Sequence, residues 1–322
     1  MKKQIIGFGA GKCLENLYSQ IRRHTKMKYV CDNDSSKWGK KIVGDIVCIS
    51  PDELKKRNNN VVLILVENKK IAANIATQLN KLGVEHNFIY NTSYYCKYKI
   101  KQICKTRTKV DWFQFIYWNF ISKQIDREKS TFIIPHKGTV LDIDKTAKIY
   151  LSGANAEFGG NKLRGSKAET LIRLEKNAKW FIKNGCYLFY DTVLEIKPDA
   201  VIENGFFSIN GGGVIVCAKN IQIGEDVMMG RNIMIYDSDF HSVLNNEGEA
   251  TNYFKRPVVI EDHVWLTNNI TVLKGSQIGS GSIVGSYLTV RKGIPSNSLI
   301  ETVNSELKVI RENVTWSRTP IV

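Results

Sequence analysis

Ile260-Glu261-Asp262-His263-Val264-Trp265-Leu266-Thr267-Asn268-Asn269-Ile270-Thr271-Val272 carries large aliphatic residues six apart, and the ladder Ile260, Leu266, Val272 continues through Ile278, Val284 and Val290. A period of six fits neither the 3.6-residue turn of a helix nor the alternation of a lone strand. It describes one side of a repeating coil. A second column, Val264, Ile270, Ser276, Ser282 and Leu288, follows four residues behind the first. Upstream the same pair of columns reads Ile223, Met229 and Ile235, with Val227 and Ile233. No short strand of this kind buries itself; stacked coils make one continuous core and leave three flat faces.

The ladder has one break. Ile235 and Ile260 are twenty-five residues apart, one more than a multiple of six, so a segment is inserted between them. It contains Asp237-Ser238-Asp239-Phe240-His241. A polar loop with a histidine on a rigid scaffold is where chemistry is expected.

Working outward, short apolar segments separated by Gly and Asn begin near Thr139: Val140–Ile143, Ile149–Leu151, Leu171–Leu174, Trp180–Ile182, Tyr187–Phe189 and Val193–Ile196. Strict hexads set in only after about Gly205. Residues 139–322 are therefore expected to form an all-β coil domain with a C-terminal tail.

The other end of the chain has a different texture. Lys3-Gln4-Ile5-Ile6 reads as a strand feeding Gly7-Phe8-Gly9-Ala10-Gly11-Lys12, then a helix to His24, then a strand Lys28–Cys31 ending at Asp32. Further alternation follows: a helix capped by Ser50, a strand Val61–Val66, a helix Lys69–Leu82 and a strand His86–Tyr90. This is a Rossmann-like α/β domain over 1–92. Gly7, Gly9 and Gly11 with Asp32 could hold a nucleotide, phosphate at the helix N-terminus and ribose on the acid; Lys12 stands where the motif wants its third glycine. A purely structural turn is the alternative.

Between the two lies 93–138, a basic and aromatic helical linker. Lys97, Lys99, Lys101, Lys105, Arg107 and Lys109 precede Trp112, Phe113, Phe115, Tyr117, Trp118 and Phe120. Two readings stand: peripheral association with an anionic membrane surface, or aromatics docked on the second domain with lysines in water.

The 322 residues carry a formal charge of +15, 43% hydrophobic and 24% charged residues. Anionic cosubstrates, glycans or membrane surfaces fit that charge; no nucleic-acid-binding signature is present. The longest apolar runs are too short to span a bilayer, and a cytoplasmic protein, at most peripheral at the inner face of the membrane, is expected. Seven cysteines without a Cys-x-x-Cys pair read as reduced thiols.

The runs Ile221–Asn232 and Asp262–Leu266, with Val284-Gly285-Ser286 and Ile294-Pro295-Ser296-Asn297, resemble the hexapeptide-repeat acyltransferases. The whole chain looks like the bacterial surface-polysaccharide O-acetyltransferases, some relatives of which carry an N-terminal Rossmann-like domain. The resemblance implies a left-handed parallel β-helix, a homotrimer, and transfer of acetyl from acetyl-CoA to a sugar hydroxyl of a capsule or O-antigen polysaccharide or its precursor, without metal. It makes His241 the catalytic base, which suits a group titrating near pH 6.5, with Asp239 or Asp237 to orient the ring.

On the same resemblance Asn210 lines the acceptor site, an asparagine ladder being the alternative. Trp265 flanks the pantetheine arm, backbone groups of Gly285 and Ser286 bind it, and Arg291 and Lys292 stand near the nucleotide phosphates. Thr267 and Tyr287 replace smaller residues usual in the groove. His263 is read as structural, Cys217 as packing, and the loop to Pro257 as part of the acceptor site. Two rivals are N-acetylation of a nucleotide-linked amino sugar and a non-catalytic scaffold that binds glycan or membrane.

Overall fold

The computed structural model describes residues 4–57, 60–107, 109–241, 255–303 and 306–312, and so not the last ten residues of the tail. The chain divides into two units, Met1–Thr108 and Lys109–Val322.

In the first unit a six-stranded sheet runs in the order Lys41–Val43, Ile46–Ile49, Tyr29–Cys31, Gln4–Phe8, Asn60–Ile64, His86–Phe88. Its strands are parallel except for the hairpin joining Lys41–Val43 to Ile46–Ile49, where Gly44-Asp45 turns the chain between two apolar runs. Helix Lys12–His24 buries Leu14, Leu17 and Ile21, three and four residues apart, on one face of that sheet. Asn68 caps helix Lys69–Lys81, its Oδ1 accepting the Ile71 N–H at 3.1 Å.

The linker is shared between the units rather than standing between them. Helix Ser93–Thr106 buries Tyr95 and Ile103 and belongs with the first unit. Trp112–Ile116, continued by a wider turn Tyr117–Ile121, begins the second. There Phe115, Trp118 and Asn119 are buried. The Asn119 amide donates to the carbonyls of Phe115 and Ile133 at 2.8 and 2.7 Å and accepts from the Ile133 N–H at 2.9 Å. It thereby satisfies backbone groups at the open end of the coil stack, which a terminal cap must do.

The coils start at Ile125, earlier than Thr139. Each has three short strands, and each strand pairs in parallel with the one three strands later, so three sheets stack along one axis. Ile125–Arg127 opens the first face, Ile133–Pro135 the second and Thr139–Ile143 the third. The hexad ladder is thus explained. Ile260, Leu266 and Val272 each sit on a different face, and eighteen residues later Ile278, Val284 and Val290 pair directly with them. All six point into a single core with Trp180, Phe158 and Phe207. Inside that core the Trp180 indole N–H donates to buried Asn204 Oδ1 at 2.7 Å.

The corners impose a second requirement. Asn177, Asp191, Asp199, Asp226, Asn232, Asn269 and Asn297 all adopt positive φ, the left-handed conformation that Asn and Asp tolerate best after Gly. Side chains then stack from coil to coil, as where the Asn232 amide donates to Asn269 Oδ1 at 2.9 Å.

Candidate active site

The break in the ladder resolves into one ordinary step from the third face to the first, with a long excursion at the corner. Val216 pairs with Tyr236, so the next residue, Asp237, stands over Cys217 in the inward column. A buried carboxylate there must be paired. Asp237 Oδ1 accepts the N–H of Ala218 at 2.6 Å, and Oδ2 accepts those of Lys219 and Asn220, both at 2.7 Å. The preceding corner is therefore a three-amide cradle for this anion.

The far end of the excursion closes on the same residue. Arg256 N–H donates to the Asp237 carbonyl at 2.9 Å, and Ser238 and Lys255 form an antiparallel bridge. Four residues past the pinned carboxylate, His241 is exposed. Phe240, at φ +60°, turns the chain outward, its N–H donating to Ser238 Oγ at 2.9 Å. Residues 242–254, most of the loop expected to meet the acceptor, fall outside the described residues.

The two acids expected beside His241 thus differ. Both oxygens of Asp237 are engaged by backbone, which makes it the anchor of the excursion. Asp239 is half-exposed and ion-paired through Oδ2 with the Lys274 ammonium. Lys274 comes from the same corner one coil later, after Thr271–Val272. Sequence reasoning missed it because no periodic signal marks a lysine whose role is set by the neighbouring coil.

The remaining expected residues lie elsewhere on the prism. Asn210 and the pair Gly285-Ser286 occupy the corner between the second and third faces; Arg291 and Lys292, exposed, occupy the corner of the excursion. Those corners are separated by the third face, about 13 Å wide for its four-residue strand Val214–Cys217 at ~3.3 Å per residue. Asn210 is tied to Met229, whose carbonyl accepts its backbone N–H at 3.1 Å. Trp265, half-buried, lies on the second face. The Gly285 N–H is already used by the Ile300 carbonyl at 2.8 Å. Beside it the Thr267 and Ser286 hydroxyls meet at 3.0 Å, and Tyr287 projects at φ +63°.

Two groups have other work. His263, at φ +57°, stacks over the corner below and pairs through Nδ1 with Asp226 Oδ2 at 2.7 Å. Cys217 is fully buried, and burial, with the Asp237 charge adding to it, drives its thiol far above the usual range. Among the described residues no cluster of three metal-ligating side chains occurs.

In the first unit, a Cβ on Gly7 would come 2.6 Å from Leu65 Cδ1, and one on Gly9 (φ +109°) 3.1 Å from the Leu65 carbonyl. Gly11 faces open space. Asp32 closes on the glycine turn itself: Oδ2 accepts the Ala10 N–H at 2.7 Å and pairs with Lys37 at 3.3 Å.

A family model described as C2185-like, N-terminal, matches residues 1–90. The chain is similar to a galactoside O-acetyltransferase of Lactococcus lactis, 36% identical over 153 residues, 42% of this chain and 73% of that protein. The chain belongs to the hexapeptide-repeat acyltransferases, the left-handed β-helix family. Other relatives are polysialic acid O-acetyltransferases of Escherichia coli O1:K1, 29% identical over 46% of this chain and 45% of the relative, and of Neisseria meningitidis, 33% identical over 41% and 59%. The chain spans about half the length of these curated relatives. A solved polySia-specific acetyltransferase, NeuO, aligns with a TM-score of 0.37 at 21% identity, covering 61% of this chain and 88% of that one.

Proposed function

We propose that this protein is an acetyl-CoA-dependent O-acetyltransferase whose acceptor is a sugar hydroxyl of a bacterial surface polysaccharide or its precursor. The observation that carries the reading is the excursion itself: a corner locked by the Asp237 carboxylate holds out an accessible histidine beside a second acid. His241 takes the hydroxyl proton as the sugar oxygen attacks the thioester carbonyl; the C–S bond breaks, and the proton passes to the departing thiolate. Asp239, steadied by Lys274, orients the imidazole and balances its transient positive charge. Transfer is direct, since Cys217 is neither exposed nor ionisable in the useful range.

In a homotrimer the Asn210 corner of one subunit would meet the excursion of its neighbour, bringing together groups that one chain keeps on opposite edges of a face. Trp265, Ser286 and the Gly285 carbonyl would line the pantetheine groove, and Arg291 and Lys292 would meet its phosphates. The relatives' names support the saccharide; the N-acetylation rival needs a nucleotide at a glycine turn that Asp32 already closes. The scaffold rival predicts no turnover. Acetyl-CoA consumption with a glycan panel, compared between the wild type and His241→Ala, tests the reading; turnover that survives the substitution removes it.

Among the described residues no helix is long and apolar enough to cross a membrane. Phe113, Ile116, Tyr117, Phe120 and Ile121 form an exposed apolar ridge at helical spacing. Together with the +15 charge it supports peripheral contact with an anionic membrane. Co-sedimentation with anionic vesicles that is unchanged in Phe113→Ser/Phe120→Ser would remove that part.

A further inference from the structure

The acyl-transfer reading uses nothing in the first two coils, yet these hold a concavity of a distinct kind. At the corner between the second and third faces a cavity of about 360 Å³ is lined by Lys109, His136, Lys137, Lys162 and Arg164, with the Gly165-Ser166 turn over it. None of its four cations forms an ion pair among the described residues. No acid is among the described residues that line it; buried His136, which does line it, meets Glu157 Oε1 through Nε2 at 2.7 Å.

The backbone is shaped around these charges. Gly138 has φ +91°, a conformation that favours glycine, and the Lys162 ammonium lies 2.6 Å from where a Cβ would stand, over the bare backbone of the floor. Lys109 Nζ donates to the Lys162 carbonyl at 3.0 Å, fixing the turn that carries Arg164. Four like charges held around one concavity repel each other, and a concave wall focuses their field. An anion in the cavity relieves both.

We propose that this cavity binds the oxyanion of an acidic saccharide, a carboxylate or a sugar-linked phosphate, as a second subsite for the acceptor. The word acceptor rests on the proposed function; the binding does not. The strands after the Lys162 and Asn210 turns are two steps apart on the third face, Leu171 pairing with Val193 and Val193 with Val214. At a strand spacing of ~4.8 Å, that places Asn210 about 10 Å along the same edge. An extended acidic chain could touch both.

The test uses the full-length protein and isothermal titration at low salt with three probes: a sialic acid trimer, inorganic pyrophosphate and a neutral galactose trimer. The wild type is expected to bind one or both anionic probes and not the neutral one, the preference telling carboxylate from phosphate. Lys162→Ala/Arg164→Ala should weaken that binding at least tenfold, and Lys137→Glu, a single exposed change, should do the same if the double variant melts early. His241→Ala should bind as the wild type does, so loss of acetyl transfer and loss of anion binding are read separately. No binding of either anion to the wild type, or equal binding by the cation variants, overturns the proposal.

Discussion

The Asp237 carboxylate accepts the backbone N–H of Lys219 at 2.7 Å from the coil below, within a cradle that also takes Ala218 and Asn220. A negative charge thus occupies a rung of an aliphatic ladder, and the histidine-bearing excursion starts from it. Asp237→Asn turns an amide donor toward those N–H groups. Because charge-assisted hydrogen bonds contribute ~1.5–3 kcal/mol each and an unsatisfied buried donor costs ~1–3, it should lower unfolding free energy by about 3 kcal/mol. Urea denaturation measures this; a loss under about 0.5 kcal/mol would mean the cradle is not what holds the corner.

Lys274 and Asp239 form an ion pair beside the same excursion, half in solvent. Paired surface charges add little stability, about 0–1 kcal/mol. Lys274→Ala and Asp239→Asn should therefore leave the melting temperature near that of the wild type while lowering the rate of transfer, each by less than His241→Ala does. Equal melting temperatures with unchanged rates would separate this pair from the chemistry.

The tightness of the coils can be probed at glycine. A Cβ on Gly230 would fall 1.5 Å from the Thr267 carbonyl of the next coil, whereas one on Gly83 (φ +66°) meets nothing within 4 Å. Gly230→Ala should cost about 3 kcal/mol or more by forcing adjacent coils apart, and Gly83→Ala only the ~1–2 kcal/mol of a left-handed residue. Comparable costs in thermal melts would contradict the packing described.

Thiol titration has a clear pH dependence. Burial raises Cys13 and Cys31 to about 12 and Cys186 well above the usual value, so their neutral forms are favoured. At pH 8 a thiol at about 12 is roughly one part in ten thousand thiolate. Native protein should thus react quickly with a thiol reagent at exposed Cys104 while Cys31, Cys186 and Cys217 react only on unfolding. Fast native labelling of Cys217 would reopen covalent catalysis.

Much of the architecture was legible because a coil's geometry imposes its own period: Ile260 to Val290 could be read as three faces before any pairing was known. The βαβ opening was equally plain from Gly7 to Asp32. What escaped lies where neighbouring coils, and not the local chain, decide a residue's task. Asp237 and Asp239 look alike in sequence, and only the amides of the coil below tell the anchor from the exposed acid. The two strands before Thr139, Ile125–Arg127 and Ile133–Pro135, were hidden because they begin eight residues apart, off the hexad. The 93–138 stretch looked continuous because composition does not record which unit buries Tyr95 and which buries Phe115.

The central claim is that the locked corner exists to present His241. It is tested most directly by single-turnover transfer from acetyl-CoA to an accepted glycan, comparing the wild type with His241→Ala at equal folded concentration. Loss of a general base predicts a rate lower by about 10²–10⁴ with an unchanged urea midpoint. A His241→Ala protein that still transfers acetyl within about threefold of the wild-type rate would contradict the account.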